Sequence, residues 1–232
     1  MIPRYVAKFG LLAALSACET PAEKPGMSRP SAAPGVERAS VVFLGTSLTA
    51  GLGLEPEQAY PALLQHKIDS AGLGYRVVNA GVSGETSAGA RRRIDWVVRE
   101  PVAVLVIEIG ANDGLRGLPP DSLRANIQAI LERAEGLQPP PKIVLIGMRV
   151  PTNYGQAYSR DFQTVYPELA RASGAQLVPF LLEGVGGVAA LNQPDGVHPT
   201  AEGQRRMAET VWRVLEGVLR EDQRERDQRL SG

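Results

Sequence analysis

The stretch VAVLVIEI at residues 102–109 narrows the fold more than any other part of the chain. It is short and nearly continuous in apolar, mostly β-branched residues, which suits a strand covered on both faces. Four shorter runs of the same kind lie at 40–44, 75–79, 142–147 and 176–180. Between and after them are amphipathic stretches at 60–71, 86–99, 121–135, 157–173 and 201–219. Pro61 suits a helix start, Asp121 is placed as a helix N-cap, and Pro167 predicts an early break or kink in its helix. Strands alternating with helices imply right-handed crossovers and a parallel sheet between helical layers. The expected architecture is a three-layer αβα sandwich, doubly wound on about five parallel strands. In such a sheet functional groups gather at the carboxyl ends of the strands.

The two ends of the chain read differently. In MIPRYVAKFGLLAALSAC, residues 1–18, Arg4 and Lys8 form a basic region before the apolar stretch 9–17. That stretch is too short to span a bilayer and has the form of a secretory signal. Leu15-Ser16-Ala17-Cys18 looks like a bacterial lipobox, whose cysteine is lipidated and becomes the first residue of the mature protein. The plainer alternative is an ordinary signal peptide with an incidental cysteine. Cys18 is the only cysteine, so no disulfide within the chain is possible. From Glu19 to about Ala39 several prolines sit among small and charged residues without apolar periodicity, as in a disordered tether. Residues 221–232 alternate charges with Gln and read as a frayed, solvated helix end. The expected organisation is a lipoprotein signal peptide at 1–17, Cys18 and a tether at 18–39, a folded domain at 40–220 and a charged tail at 221–232. The expected location is the bacterial cell envelope, lipid-anchored at Cys18 and facing the periplasm.

Composition removes some functions. The 25 Lys+Arg balance 25 Asp+Glu, which argues against a protein that binds nucleic acid by displacing counterions. With only His66 and His198, a His-rich zinc site is excluded. His66 falls in an amphipathic helix and reads as an exposed surface residue.

Four strand-end segments carry the chemistry. The first run leads into Gly45-Thr46-Ser47-Leu48-Thr49, where Ser47 could be an exposed nucleophile or ordinary turn and cap chemistry. The second leads into Asn79-Ala80-Gly81-Val82-Ser83-Gly84-Glu85-Thr86. There Gly84 precedes a helix whose free N–H groups favour an anion, or merely serves the turn. The third leads into Gly110-Ala111-Asn112-Asp113-Gly114, in which Asn112 is either a turn residue or an amide donor aimed across the sheet edge. The last is Asp195-Gly196-Val197-His198-Pro199. An Asp three residues before a His on a tight turn can hold imidazole Nδ1 and leave Nε2 free to deprotonate a serine.

Together these segments resemble the SGNH, or GDSL-type, hydrolase family, within it the bacterial thioesterase I / lysophospholipase L1 / arylesterase group. The resemblance rests on FLGTSLTAGLGL, NAGVSGETS, IEIGANDGLRG, MRVPTNYG and DGVHP, which span essentially all of 40–200. It implies a flavodoxin-like fold and a serine esterase acting on acyl esters or thioesters. Ser47 would be the nucleophile, His198 the base and Asp195 its orienting acid. The Ser47 N–H, the Gly84 N–H and the Asn112 amide would form an oxyanion hole. No metal or organic cofactor is implied. Residues 115–119 and 148–154 lie beyond strand ends and are expected to line an acyl groove. One departure stands out, since the family usually has Asp where this chain has Thr46. A carbohydrate O-deacetylase on the same fold, or an idle acyl- or glycan-binding lipoprotein, are the competing readings.

Overall fold

A computed structural model of the chain describes residues 38–150 and 152–231. The signal segment, Cys18 and nearly all of the expected tether lie outside these residues. Five strands, β1 (Ala39–Gly45), β2 (Tyr75–Gly81), β3 (Val104–Glu108), β4 (Lys142–Ile146) and β5 (Gln176–Val178), form one parallel sheet in the order β2-β1-β3-β4-β5. The helices are α1 (Ser47–Ala50), α2 (Tyr60–Ser70), α3 (Ser87–Val97), α4 (Ala111–Leu115), α5 (Pro120–Glu135), α6 (Gln156–Ser173) and α7 (Ala201–Ser231). The fold is the αβα sandwich expected from the alternation of strands and helices.

The layers follow from where each helix is greasy. In α5 the buried residues Leu123, Ile127, Ile130, Leu131 and Ala134 recur at helical spacing and form one stripe. Helices α3, α5 and α6 pack side by side on one face of the sheet, and α2 packs with α7 on the other. Every residue of β3 is buried, as its unbroken apolar run requires. The chain runs from β1 outward to β2 and then returns past β1 to β3. The direction of winding therefore reverses between β1 and β3, and a crevice opens there at the strands' carboxyl ends.

Three local expectations are corrected. Asp121 is not the N-cap of α5, because Pro119 caps a helix that begins at Pro120. In the first turn the Asp121 carboxylate still meets the positive end of the helix dipole. Pro167 does not break α6, which runs on to Ser173 because Tyr166, Leu169 and Ala170 bury the stripe on either side of it. The helix expected to end near Leu219 continues to Ser231, and its buried stripe reaches Asp222. The Asp222 carboxylate lies 2.7 Å from the Tyr75 hydroxyl, and the Arg226 guanidinium lies over the Tyr75 ring. Lys142, at the foot of β4, pairs with Glu221 and Glu225. A charged stretch that looks solvated in the sequence is thus clasped to the sheet by polar contacts, which hydrophobic periodicity does not register.

Candidate active site

In the sheet register Gly45 of β1 stands beside Gly81 of β2 and Glu108 of β3. The three strand ends are level, so the loops that leave them share one rim. At Thr46 (φ −104°, ψ −154°) the chain leaves β1 and turns into α1, whose first residue is Ser47. A side chain at position 45 would collide with Thr49, which folds back over the strand end, so the turn needs glycine there. The Gln204 amide, from α7, donates to the Leu48 carbonyl at 3.2 Å and steadies the turn from the other side.

The Asp195–His198 loop precedes α7. It is closed by the Gln193 N–H donating to the His198 carbonyl at 2.7 Å and pinned to the α1 region by the Gln193 amide on the Leu52 carbonyl at 2.8 Å. His198 Nε2 thereby comes to 2.9 Å from Ser47 Oγ, and His198 Nδ1 to 2.6 Å from Asp195 Oδ2. The second Asp195 oxygen accepts the backbone N–H groups of Val197 at 2.9 Å and His198 at 3.0 Å. The His198 N–H, then the His198 ring and the Val197 N–H, hold the Asp195 carboxyl down at about 2. Three residues from opposite ends of the domain thus form one hydrogen-bonded chain, ending on the hydroxyl of a serine that is only 8% exposed. A carboxylate fixed on Nδ1 leaves Nε2 as the acceptor for the hydroxyl proton, the arrangement that makes serine a nucleophile.

Asn112 lies in α4 rather than in a plain turn. Its amide donates to the Glu85 carbonyl at 2.9 Å, which fixes the side-chain plane and leaves the second N–H of the amide unused by that contact. Gly84 sits on the loop after β2 at φ 77°, a backbone that a β-carbon resists, and is solvent-exposed. No described residue accepts from the Ser47 or Gly84 N–H. Arg93 grips the Glu85 carboxylate with contacts of 2.6–2.9 Å and reaches the Gly45 carbonyl at 3.3 Å, tying the β2 loop to the end of β1. From the β3 side, the buried Asp113 accepts the Ser87 N–H at 2.8 Å and the Ser87 hydroxyl at 2.6 Å, capping α3. The sequence reading did not single out Arg93, Asp113 or Ser87, since nothing local marks partners that lie on different loops.

Ser47, His198 and Asn112 line a cleft of about 370 Å³. Its wall is largely apolar and includes Leu115, Met148, Val150, Phe180 and Leu182. Leu115 and residues 148–150 come from the two segments expected to line a groove. Phe180 falls in the run expected as the fifth strand, which ends at Val178, and Leu182 and the glycines that follow carry no local signal, because an apolar stretch beside a strand looks like core. His66 is exposed on α2 and distant from this chemistry in role, as expected.

A second polar cluster lies directly beneath Ser47. Glu108 is 1% exposed, and its carboxylate accepts the Thr46 N–H at 2.9 Å, the Thr46 hydroxyl at 3.0 Å and the Thr49 hydroxyl at 2.8 Å. Burial pushes the carboxyl up to about 7, with the hydrogen bonds pulling against it. Its only sequence signal is a charge at the end of an apolar strand.

The family model described as GDSL-like Lipase/Acylhydrolase matches residues 43–206. The chain is similar to Esterase TesA of Pseudomonas aeruginosa, at 43% identity over 78% of this chain and 89% of the relative. It is similar to Thioesterase 1/protease 1/lysophospholipase L1 of Escherichia coli K12, at 35% identity over 79% of this chain and 86% of the relative. Among solved structures it is similar to that of TesA, with TM-score 0.73 and 42% identity over 77% of this chain and 99% of that one. The esterase EstA from Pseudoalteromonas sp. superposes with TM-score 0.73 at 32% identity, over 78% of this chain and 98% of that one. With the matched model spanning most of the sandwich and its strand-end segments, the chain belongs to the GDSL-like lipase/acylhydrolase family and is a hydrolase of ester bonds.

Proposed function

We propose that the enzyme cleaves acyl esters or thioesters through a Ser47–His198–Asp195 triad and an acyl-enzyme. Ser47 Oγ attacks the carbonyl carbon while its proton passes to His198 Nε2. The C–O or C–S bond then breaks, and His198 returns the proton to the leaving group. Water, deprotonated by the same nitrogen, releases the acid and restores the serine. The carbonyl oxygen, negative in the tetrahedral state, is taken by the Ser47 N–H, the Gly84 N–H and the Asn112 amide. The observation that carries the reading is the unbroken Asp195–His198–Ser47 hydrogen-bonded chain opening on an apolar cleft. The apolar wall favours an acyl chain over a glycan, so the O-deacetylase reading is the weaker one, and the intact triad geometry argues against an idle binder.

Hydrolysis of p-nitrophenyl acetate by purified protein tests the assignment. Ser47→Ala and His198→Ala should each lower kcat by at least about 10⁴, with no further loss in the double variant. Near-normal turnover by Ser47→Ala would remove the serine mechanism.

We further infer from the lipobox-like Leu15-Ser16-Ala17-Cys18 that the mature protein begins at a lipidated Cys18 and is held on the envelope, with residues up to about 39 as tether. More than one acyl chain is needed for stable anchoring, as in a lipoprotein. Mass spectrometry of the mature N-terminus should find acylated Cys18. An unmodified first residue elsewhere would overturn this location without touching the chemistry.

A further inference from the structure

Helix α1 has four residues, Ser47–Ala50, far too few to be stable in isolation. Its geometry must be imposed from outside. The residues bracketing Ser47 and Leu48 are Thr46 and Thr49, and both send donors into one acceptor, the Glu108 carboxylate at the end of β3. Thr46 gives its N–H and hydroxyl, Thr49 its hydroxyl, and the Tyr60 hydroxyl lies 2.8 Å from that of Thr49. Because the single Thr49 proton points to Glu108, Tyr60 donates to Thr49, and the hydrogen bonds run one way, from α2 through α1 into β3. Among the described residues no cation pairs with Glu108, and Asp195 and His198 already complete the chain on Ser47 without it. A buried, uncompensated carboxylate is costly to retain unless several donors converge on it.

We propose that Glu108 is a positioning residue for Ser47, holding the nucleophile's turn at the end of β1 through Thr46 and Thr49. This rests on Ser47 being the nucleophile. All three close donors meet on one carboxylate oxygen, Oε2, while Oε1 lies 3.2 Å from the Thr46 hydroxyl. A glutamine can keep its oxygen there and turn its NH₂ to the Thr46 hydroxyl, which can accept, but an alanine leaves the Thr46 N–H, which cannot rotate away, buried and unpaired. The Thr46–Ser47 peptide would then shift, carrying with it both the Ser47 hydroxyl and the Ser47 N–H.

The test is the reaction of the full-length protein with a p-nitrophenyl alkylphosphonate, which releases one nitrophenolate per reactive serine. The final amplitude counts competent sites, and the rate constant reads how well each serine is placed. Glu108→Ala should keep the wild-type amplitude but react roughly 10- to 100-fold more slowly, the scale of a small misplacement of reacting atoms, and Glu108→Gln should recover most of the loss. Thr49→Val, which removes one donor from the cluster, should slow the reaction in the same sense, and Thr49→Ser, which keeps the hydroxyl, should recover most of the loss. Steady-state turnover should fall in kcat with KM nearly unchanged. A wild-type rate constant in Glu108→Ala overturns the proposal, as does a reduced amplitude whose remaining sites react normally, the mark of a purely structural residue. If Glu108→Ala does not fold, the Thr49 pair decides by the same criteria. Ser47→Ala serves as the control: release of nitrophenolate from it would show that the serine assignment, rather than the role of Glu108, has failed.

Discussion

The side chains of the candidate site take their orientation from fixed neighbours. Asp195 is fixed by two backbone N–H groups before it meets His198, and Asn112 is fixed by the Glu85 carbonyl. With its carboxyl held at about 2, Asp195 is ionised at neutral pH. If the Asn112 amide serves the oxyanion, Asn112→Ala should lower kcat by roughly 10²–10³ with KM nearly unchanged. A turn residue would instead lower the melting temperature and leave kcat per folded molecule intact, so both are measured on one preparation. Ser47, Asn112, Asp195 and His198 were legible because each sits in a short segment with its own turn or strand-end signature. Glu108, Arg93 and Asp113 were not, because what they do depends on donors brought from elsewhere in the chain, and local pattern is silent about pairings across a sheet.

At the scale of elements, the five strands and five longer helices could be read from apolar periodicity, while their ends could not. The misplaced boundary of α7 is instructive. Hydrophobic spacing stops near Leu219, but the helix is continued by a polar clasp in which the Tyr75 hydroxyl lies 2.9 Å from the Leu219 carbonyl and 2.7 Å from Asp222. The Arg226 guanidinium sits 3.0 Å from the same carboxylate. Tyr75→Phe removes the hydroxyl from a buried, charged group and should cost about 1–3 kcal/mol. It should appear as a lower urea midpoint with kcat unchanged, since Tyr75 opens β2 at the end of the sheet away from Ser47. An unaltered midpoint would mean that the tail contributes nothing to the fold.

For the whole molecule, the balance of charges leaves pH to act through particular groups, and Glu108 is a carboxyl displaced upward by its burial. Raised from 4.5 to about 7, it keeps a proton in the folded protein that the unfolded chain gives up. The corresponding stability is full below about 4.5 and is lost as pH rises through about 7, by an amount on the order of a few kcal/mol. The groups facing it are the hydroxyls of Thr46, Thr49 and Tyr60, with Tyr166 nearby, and both tyrosines are pushed up by burial and stay neutral across that window. Thermal melts from pH 5 to 8 should show the wild type losing ground steadily against Glu108→Gln as pH rises. A difference between the two that does not change with pH would contradict the displaced titration.

The foot of the sheet has a consequence of its own. Ala39, Lys142, Glu225 and Arg226 wall one hollow there, so the chain enters β1 and the last helix departs on the same side, while Ser47 stands at the opposite rim. A domain held where β1 begins or where the last helix departs, by resin or by a fused neighbour, is therefore held by its heel. Its cleft lies at the far rim from both points of attachment.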